Sequence, residues 1–584
     1  MQKVVEQVQD QRNHQQWQLS KLGVNLGELY LPTKAAAESP TFLQNVEQDA
    51  QVQRGSGELH VALVCIKSLH LVDEQVLNGI ALTLAQLVRL DMQIVVVLDC
   101  AGIALESESE LSFEETYRVQ ADRLVAALEE HNNAGARYVD SALSITESRT
   151  EGGSVAQVQG DITIGIPKLI VEPLKRGAIP VIPAIAHTST FRSTEAKAAD
   201  VMLALTRGLA GITAGSTLGQ QIPSRPEPLS VETSLDRIIV LDPLGGLPSE
   251  QREDKAHVFV NLEQEYDDIR TEIQTMENSA KHLETLKLVR DCLALLPPSS
   301  SAMLISPEEA ASVLRSSEDH DDSIGISTRR QKNPLIHNLL TNKPMISSSL
   351  PVARLSAIGV PPAISAGSTT TRSTLVKRGM PVSIVPDPRT HPWTPPQPGE
   401  KTIALDNHPD INFPRLLALI EDSFRRPLDA HHYLSRISNR VAGVIIAGEY
   451  EGGAILTWED PDSDPNSTSN SNPSSSFDGL RLVPYLDKFA VLQRSQGSSG
   501  VADVVFQSMV RTCFPNGVCW RSRKTNPVNK WYFERAKGTW QLQGTQWTMF
   551  WTDEDLVQDR TRWEDYVRVC GKIAPSWADG KKPD

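Results

Sequence analysis

Residues 515–537 read PNGVCWRSRKTNPVNKWYFERAK and carry six basic side chains, Arg521, Arg523, Lys524, Lys530, Arg535 and Lys537, against one acid, Glu534. That is 6 − 1 = +5 inside a chain whose net charge is −15. Trp520, Trp531 and Tyr532 are interleaved among these charges. A short cationic stretch with aromatic neighbours reads as a pocket for small anions, phosphates on one side and carboxylates on the other. Guanidinium forks grip carboxylates in a bidentate way, which is specific as well as strong. A nucleic-acid surface fits less well, because the positive charge does not extend over the domain. Just upstream, RLVPYLDKFAVL (481–492) reads as a long strand, QRSQGSSG (493–500) as a turn of small residues, and 501–513 as an apolar helix. Small residues let the backbone approach a diphosphate, while the free N–H groups and dipole of the first helical turn favour its charge. A flexible turn without ligand is the alternative reading. No GK[ST] follows, so the turn is not a Walker loop, and no acidic partner follows a second strand, as a dinucleotide fingerprint would require.

These segments need elements to position them. Before the turn, 413–424 reads as a helix with Leu416, Leu417 and Ile420 inside, and 441–447 and 453–458 as successive strands of a meander. The stretch 460–478 is too polar to fold and reads as a long hairpin loop. Earlier still, HVALVCI reads as a buried strand and Asp73 as a helix cap. Val76, Leu77, Ile80, Ala81, Leu84, Leu87 and Val88 then mark one helical face, and 94–98 a second buried strand. Strand, helix, strand in this order implies a parallel sheet. Further helices are expected over 115–131, 195–210 and 282–295, and strands over 161–171, 178–186, 237–241, 258–260 and 302–305. The expected fold is α/β: one doubly wound domain over 59–350, with polar insertions such as 316–323, followed by a smaller α+β domain over 401–570. Residues 1–58 read as a partly disordered extension, 351–400 as a Pro/Ser-rich linker and 571–584 as a tail.

Composition sets the outer bounds. Apolar residues are 40% and charged residues 22% of the 584, enough for ordinary cores, so wholesale disorder is excluded. An acidic chain is a poor general binder of nucleic acid or anionic membrane. No apolar run approaches the length of a membrane span. The six cysteines are scattered without a CxxC and read as small buried hydrophobes, so no metal site is expected. His431 and His432 are adjacent on a helix and cannot face one ligand. The opening residues lack an apolar secretory segment, and Glu6 and Asp10 depart from a mitochondrial presequence.

The string RSQGSSG is similar to the R/Q-x-x-G-x-G/A turn of the GNAT acetyltransferases, which holds the pyrophosphate of acetyl-CoA. It departs at the sixth position, Ser499, with Gly500 next. PYLDKFAV (484–491), WRSRKTNPVNKWYFERAKGTW (520–540) and WTMFW (547–551) resemble the C-terminal domain of the N-acetylglutamate synthase family in its fungal form. IPVIPAIA (179–186), AADVMLALT (198–206), LDRIIVLDPLGG (235–246) and KNPLIHNLLTNKP (332–344) resemble the same family's amino-acid-kinase-like domain. Lys67 follows the first strand without the glycines of an active kinase, so the resemblance implies a non-catalytic, arginine-sensing domain.

The resemblance implies acetyl transfer from acetyl-CoA to the α-amine of L-glutamate, with arginine as feedback inhibitor and no metal. It implies a homo-oligomer, a complex with acetylglutamate kinase and a mitochondrial location. CoA is expected on Gln496, Gly497, Ser498, Ser499 and Gly500, with the thioester along Phe489, Ala490, Val491 and Leu492. Glutamate is expected on Lys488 and the segment Arg521, Ser522, Arg523, Lys524, Thr525 and Asn526, with Arg426 a further candidate whose register Pro427 disturbs. Tyr532 and Asn526 are the catalytic candidates, Tyr532 as general acid for the CoA thiolate. Alternatives stand beside these. Lys488 and Asp487 could form a surface ion pair, and Tyr532 could pack as core. Adjacent residues on a strand face opposite ways, so at most alternate residues of 521–525 reach one pocket. Two rival functions are a catalytically inactive arginine-sensing subunit and acetylation of another amine, such as a protein lysine.

Overall fold

The computed structural model describes residues 59–100, 112–146, 161–212, 233–311, 333–345, 373–462 and 481–579, apart from 189, 191, 251, 253, 254, 398, 399, 401 and 497–499. The extension 1–58 and the insertion 316–323 lie outside these residues, as do most of the polar loop after 460 and the end of the tail. β1 (Leu59–Lys67) is buried from Val61 to Ile66. Asp73 caps α1 (Glu74–Arg89), accepting from the Val76 amide at 2.8 Å. α1 buries Leu77, Ile80, Ala81 and Leu84, and returns the chain to β2 (Gln93–Asp99), which pairs parallel with β1. α2 (Phe113–His131) opens with a Ser112/Glu115 capping box. β3 (Ala136–Tyr138), β4 (Leu143–Thr146) and β5 (Asp161–Ile164) follow. Only the first part of the expected 161–171 strand is extended. From Lys168 the chain is α3 (Lys168–Lys175), because Ile170, Val171 and Leu174 bury one helical face.

Next come β6 (Ile179–Pro183), β7 (Ile185–His187), β8 (Ser193–Glu195), α4 (Ala198–Leu209), β9 (Thr233–Leu241), β10 (Phe259–Asn261), α5 (Leu262–Gln274), α6 (Ser279–Ala294), β11 (Ser301–Ile305), α7 (Pro307–Ala310) and α8 (Pro334–Thr341). With β12 (Thr374–Lys377) they build an eight-stranded sheet in the order β10-β12-β11-β9-β1-β2-β6-β3. Its pairs are parallel except β11 with β12. A small sheet, β5-β4-β7-β8, sits apart. The doubly wound expectation therefore holds. Lys67 donates to Asp242 at 2.9 Å and to Thr285 at 2.6 Å, so its ammonium is committed within the fold.

The expected linker 351–400 needs correction. β12 is fully buried within the first sheet, and β13 (Val382–Val385) forms the edge of the second. Each is only four residues long and is set among Ser, Thr and Pro, so neither stands out in sequence. Four residues, Arg378 to Pro381, join the two sheets directly. Gly379 sits there at φ +78°, and a Cβ would lie 1.8 Å from Asn261 Oδ1, whose amide donates to Met380 O at 2.9 Å. Gly379→Ala is therefore expected to cost about 2 kcal/mol or more. Denaturant unfolding checks this, and an unshifted midpoint would contradict it.

The second domain continues with α9 (Phe413–Phe424), α10 (Ala430–Ile437), β14 (Val441–Ala447), β15 (Gly452–Glu459), β16 (Val483–Val491) and α11 (Val501–Ser508), which runs on into a π turn, Met509–Cys513. β17 (Cys519–Arg523), α12 (Asn529–Arg535), β18 (Gly538–Gln541), β19 (Trp547–Trp551) and α13 (Arg560–Lys572) complete it. The sheet order is β13-β14-β15-β16-β17-β19-β18.

α11 also touches the first domain. Val504 joins the first core, and Gln507 donates to Glu265 Oε1 at 3.1 Å. Beside this contact His257 is buried, with Nε2 3.1 Å from Glu272 Oε2. Burial, reinforced by the Arg252 and Arg511 charges, outweighs Glu272 and pushes the imidazole down to about 4. The unfolded imidazole titrates near 6.5, so its extra proton uptake costs stability as pH falls from about 6.5 towards 4. His257→Gln should reduce the acid loss in that window by roughly 2–3 kcal/mol. Parallel pH–stability curves for the two proteins would refute this.

Candidate active site

β16 and β17 run parallel but share one paired position, Tyr485 with Cys519. Beyond it no further residues of the two strands pair, so the strands part. A bulge in β16 lies just past this pair. Ile455 pairs Lys488 while Leu456 pairs Leu486, which leaves Asp487 as the extra residue. The Asp487 carboxylate is buried and accepts from Tyr433 Oη at 2.8 Å, Lys488 Nζ at 2.8 Å and the Arg436 guanidinium. Burial pushes this carboxyl up, but the Arg436 and Lys488 charges, with hydrogen bonds from Lys488 and Tyr433, hold it well below the usual range. Lys488 is shifted down: burial dominates, aided by Arg436 and Arg521, against Asp487. The Lys488–Asp487 ion pair is real, but it is not at the surface, with side-chain exposures of 12% and 1%.

The bulge also sorts side chains between the two faces. Lys488 Nζ lies 4.7 Å from the Tyr433 ring centre and 5.8 Å from that of Trp577. Phe489 turns to the other face, 6.5 Å from the Tyr532 ring and 5.7 Å from Trp531. Tyr532, on α12, is packed by Trp520 and Phe550, each 5.4 Å away. Burial alone raises its phenol, which stays protonated, and among the described residues its hydroxyl has no hydrogen-bond partner.

The basic segment divides as alternation requires. Arg521 faces α13 and donates to Cys570 O at 2.7 Å and to Ile573 O, with its guanidinium 4.2 Å from the Trp547 ring. Ser522 is buried and accepts from Asn526 Nδ2 at 2.8 Å, while Asn526 Oδ1 accepts from the Val528 amide. The Asn526 side chain thus shapes the turn between β17 and α12. Arg523 is half-buried, and Lys524 and Thr525 are exposed on that turn. Arg426, between α9 and α10, stacks 5.1 Å from Trp577. Lys488, Arg426 and Arg521 are therefore gathered around the end of α13 and the chain after it, and Arg523 lies on the strand face of Arg521.

On the phosphate side, Gly497, Ser498 and Ser499 lie outside the described residues. Their flanks are placed. Gln496 donates to Val491 O at 3.0 Å, and Gly500 caps α11 at φ +70° with open space where a Cβ would point. The first helical bond runs from Val504 N to Gly500 O, so the three preceding amides face out of the helix end. A Cβ on Gly452 would sit 2.3 Å from Val501 Cγ1, so that glycine lets α11 approach β15. Along the strand end, the Leu492 amide donates to Glu451 O and the Val491 amide to Ser423 Oγ at 3.1 Å. The expected polarising edge over Phe489–Leu492 is thereby narrowed: Leu492 is turned to β15 and Val491 is already bonded. Antiparallel alternation directs Ala490 to β15 as well, leaving Phe489 towards the β17 side.

Sequence reasoning missed Trp577, Asp579, Ser423 and the Arg436–Tyr433 clamp on Asp487. A tryptophan in the tail PSWADG was the available signal for the first. The six cysteines are free and buried, and no cluster of three metal-ligating residues occurs among the described residues.

A family profile described as the N-acetyltransferase of N-acetylglutamate synthase matches residues 401–573. The second domain is thus an acetyltransferase domain. Across 95% of its length the chain is 43% identical to the mitochondrial amino-acid acetyltransferase of Botryotinia fuckeliana, covering 83% of that protein. It is 42% identical to the protein of that name from Penicillium rubens, over 96% of this chain and 77% of the relative. The chain belongs to this family of amino-acid acetyltransferases. N-acetylglutamate synthase from Neisseria gonorrhoeae, complexed with coenzyme A and N-acetyl-glutamate, aligns over 85% of this chain and 95% of its own, at 11% identity and a TM-score of 0.44.

Proposed function

We propose that this chain transfers acetyl from acetyl-CoA to the α-amine of L-glutamate, giving N-acetyl-L-glutamate and CoA, the first step of arginine (ornithine) biosynthesis. The observation that carries this is the parting of β16 from β17 after a single shared pair. The N-terminus of α11, capped by Gly500, lies on the Phe489 side of β16, while Lys488, Arg426 and Arg521 crowd the other. Three cations suit a substrate with two carboxylates and disfavour a lysine amine. The α11 amides and the turn would take the CoA diphosphate. The Phe489 amide would polarise the thioester carbonyl, and the neutral amine would attack its carbon. As the C–N bond forms and the C–S bond breaks, Tyr532 would donate to the departing sulfur, and the nitrogen would release its extra proton to solvent, from which Tyr532 is reprotonated. Burial suits that role by keeping the phenol protonated.

The first domain, kinase-like by resemblance, is assigned to arginine sensing and oligomer formation, and a complex with acetylglutamate kinase is a further assignment. The named relatives are mitochondrial, which supports the same location here. The test is direct. Purified protein with acetyl-CoA and L-glutamate should release free thiol, and millimolar arginine should reduce the rate. CoA binding without thiol release would favour the inactive-sensor reading instead.

A further inference from the structure

The last turn of α13 and the chain after it touch all three candidate acceptor cations. Cys570 O and Ile573 O take the Arg521 guanidinium, Trp577 lies 5.8 Å from Lys488 Nζ and 5.1 Å from Arg426, and Asp579 Oδ2 accepts from Arg426 Nε at 2.7 Å. Arg426 and Asp579 form a two-pronged pair, the geometry in which a guanidinium binds a free carboxylate. Their side chains are 19% and 16% exposed, so the pair is partly withdrawn from water. The segment is strapped down by backbone contacts to residues 427–429. Ser576 O accepts from the Asp429 amide, the Ala578 amide donates to Pro427 O at 3.0 Å, and Trp577 bridges Leu428.

We infer that this segment is a tethered competitor of the amino-acid acceptor, its Asp579 carboxylate seated on the arginine that takes one of the acceptor's carboxylates. The inference rests on reading Arg426 as an acceptor-binding residue. A carboxylate held on the same chain acts at a high effective concentration. The acceptor then binds only the fraction of molecules in which Asp579 has left, and its apparent affinity falls by that fraction. Asp579 lies one residue beyond the last of these backbone contacts, at Ala578.

The experiment uses the full chain, its Asp579→Asn variant and a chain ending at Ala578. L-glutamate is titrated calorimetrically into each CoA-loaded protein, and kcat and KM are measured in parallel. Both variants should bind L-glutamate about 3–10-fold more tightly. The KM for glutamate should fall in step, with kcat within twofold and the KM for acetyl-CoA unchanged. Unchanged or weaker glutamate binding in both variants overturns the inference. Arg426→Gln separates the two readings. If it leaves glutamate affinity intact, Arg426 is no acceptor ligand and both fail. If it weakens glutamate while the Asp579 variants change nothing, only the competitor is lost.

Discussion

Tyr532→Phe is expected to lower kcat by about 10²-fold while the KM for L-glutamate stays within about twofold. The substitution removes a single oxygen. The ring keeps its packing against Trp520, Phe550 and Phe489. The hydroxyl has no protein hydrogen bond among the described residues to lose, so stability should change by less than about 1 kcal/mol. A structural tyrosine would behave in the opposite way, with intact turnover and altered melting. Steady-state kinetics beside a melting curve decides between them, and unchanged turnover retires Tyr532 as the proton donor. No ionisation of Tyr532 should appear in the working pH range, because burial moves the phenol upward.

Asp487→Ala carries the largest expected loss of stability, about 3–5 kcal/mol. The carboxylate is 1% exposed and balances two buried cations, Arg436 and Lys488, besides accepting from Tyr433. Glu459 still reaches Arg436 at 3.2 Å, but nothing comparable replaces Asp487 at Lys488. Nine of the ten tryptophans lie beyond residue 390, so tryptophan fluorescence during urea unfolding reports this domain. The sign with pH follows from the depressed carboxyl. Its stabilisation is present above the unfolded carboxylate range near pH 4 and is lost as the folded group protonates below it. A midpoint indistinguishable from the parent would show that the bulge does not depend on this clamp. A variant that remains folded should still bind CoA but lose affinity for glutamate, because Lys488 is aimed by the same carboxylate.

Much of the architecture was legible because periodicity is a local property. α9 and β14 coincide with their sequence expectations at 413–424 and 441–447, where buried residues recur at helical or strand spacing. Expectation failed where the signal was short or ambiguous. Ile170 and Val171 favour strands, yet their spacing with Leu174 buries a helical face. β12 and β13 are recognisable only once the strands beside them exist.

The chemistry divides along the same line. Residue types and order alone determined that a small-residue turn, a cationic segment and Tyr532 belong to one domain, because charge, side-chain size and adjacency are written in the chain. Which of those groups lie together was decided by tertiary structure. The Asp487 bulge sends Lys488 to one face and Phe489 to the other, and strand alternation parts Arg521 from Ser522. A tail 153 residues away in sequence then closes on Arg426. Contacts of that range depend on how two strands diverge and on what the whole fold buries, and no local pattern encodes either.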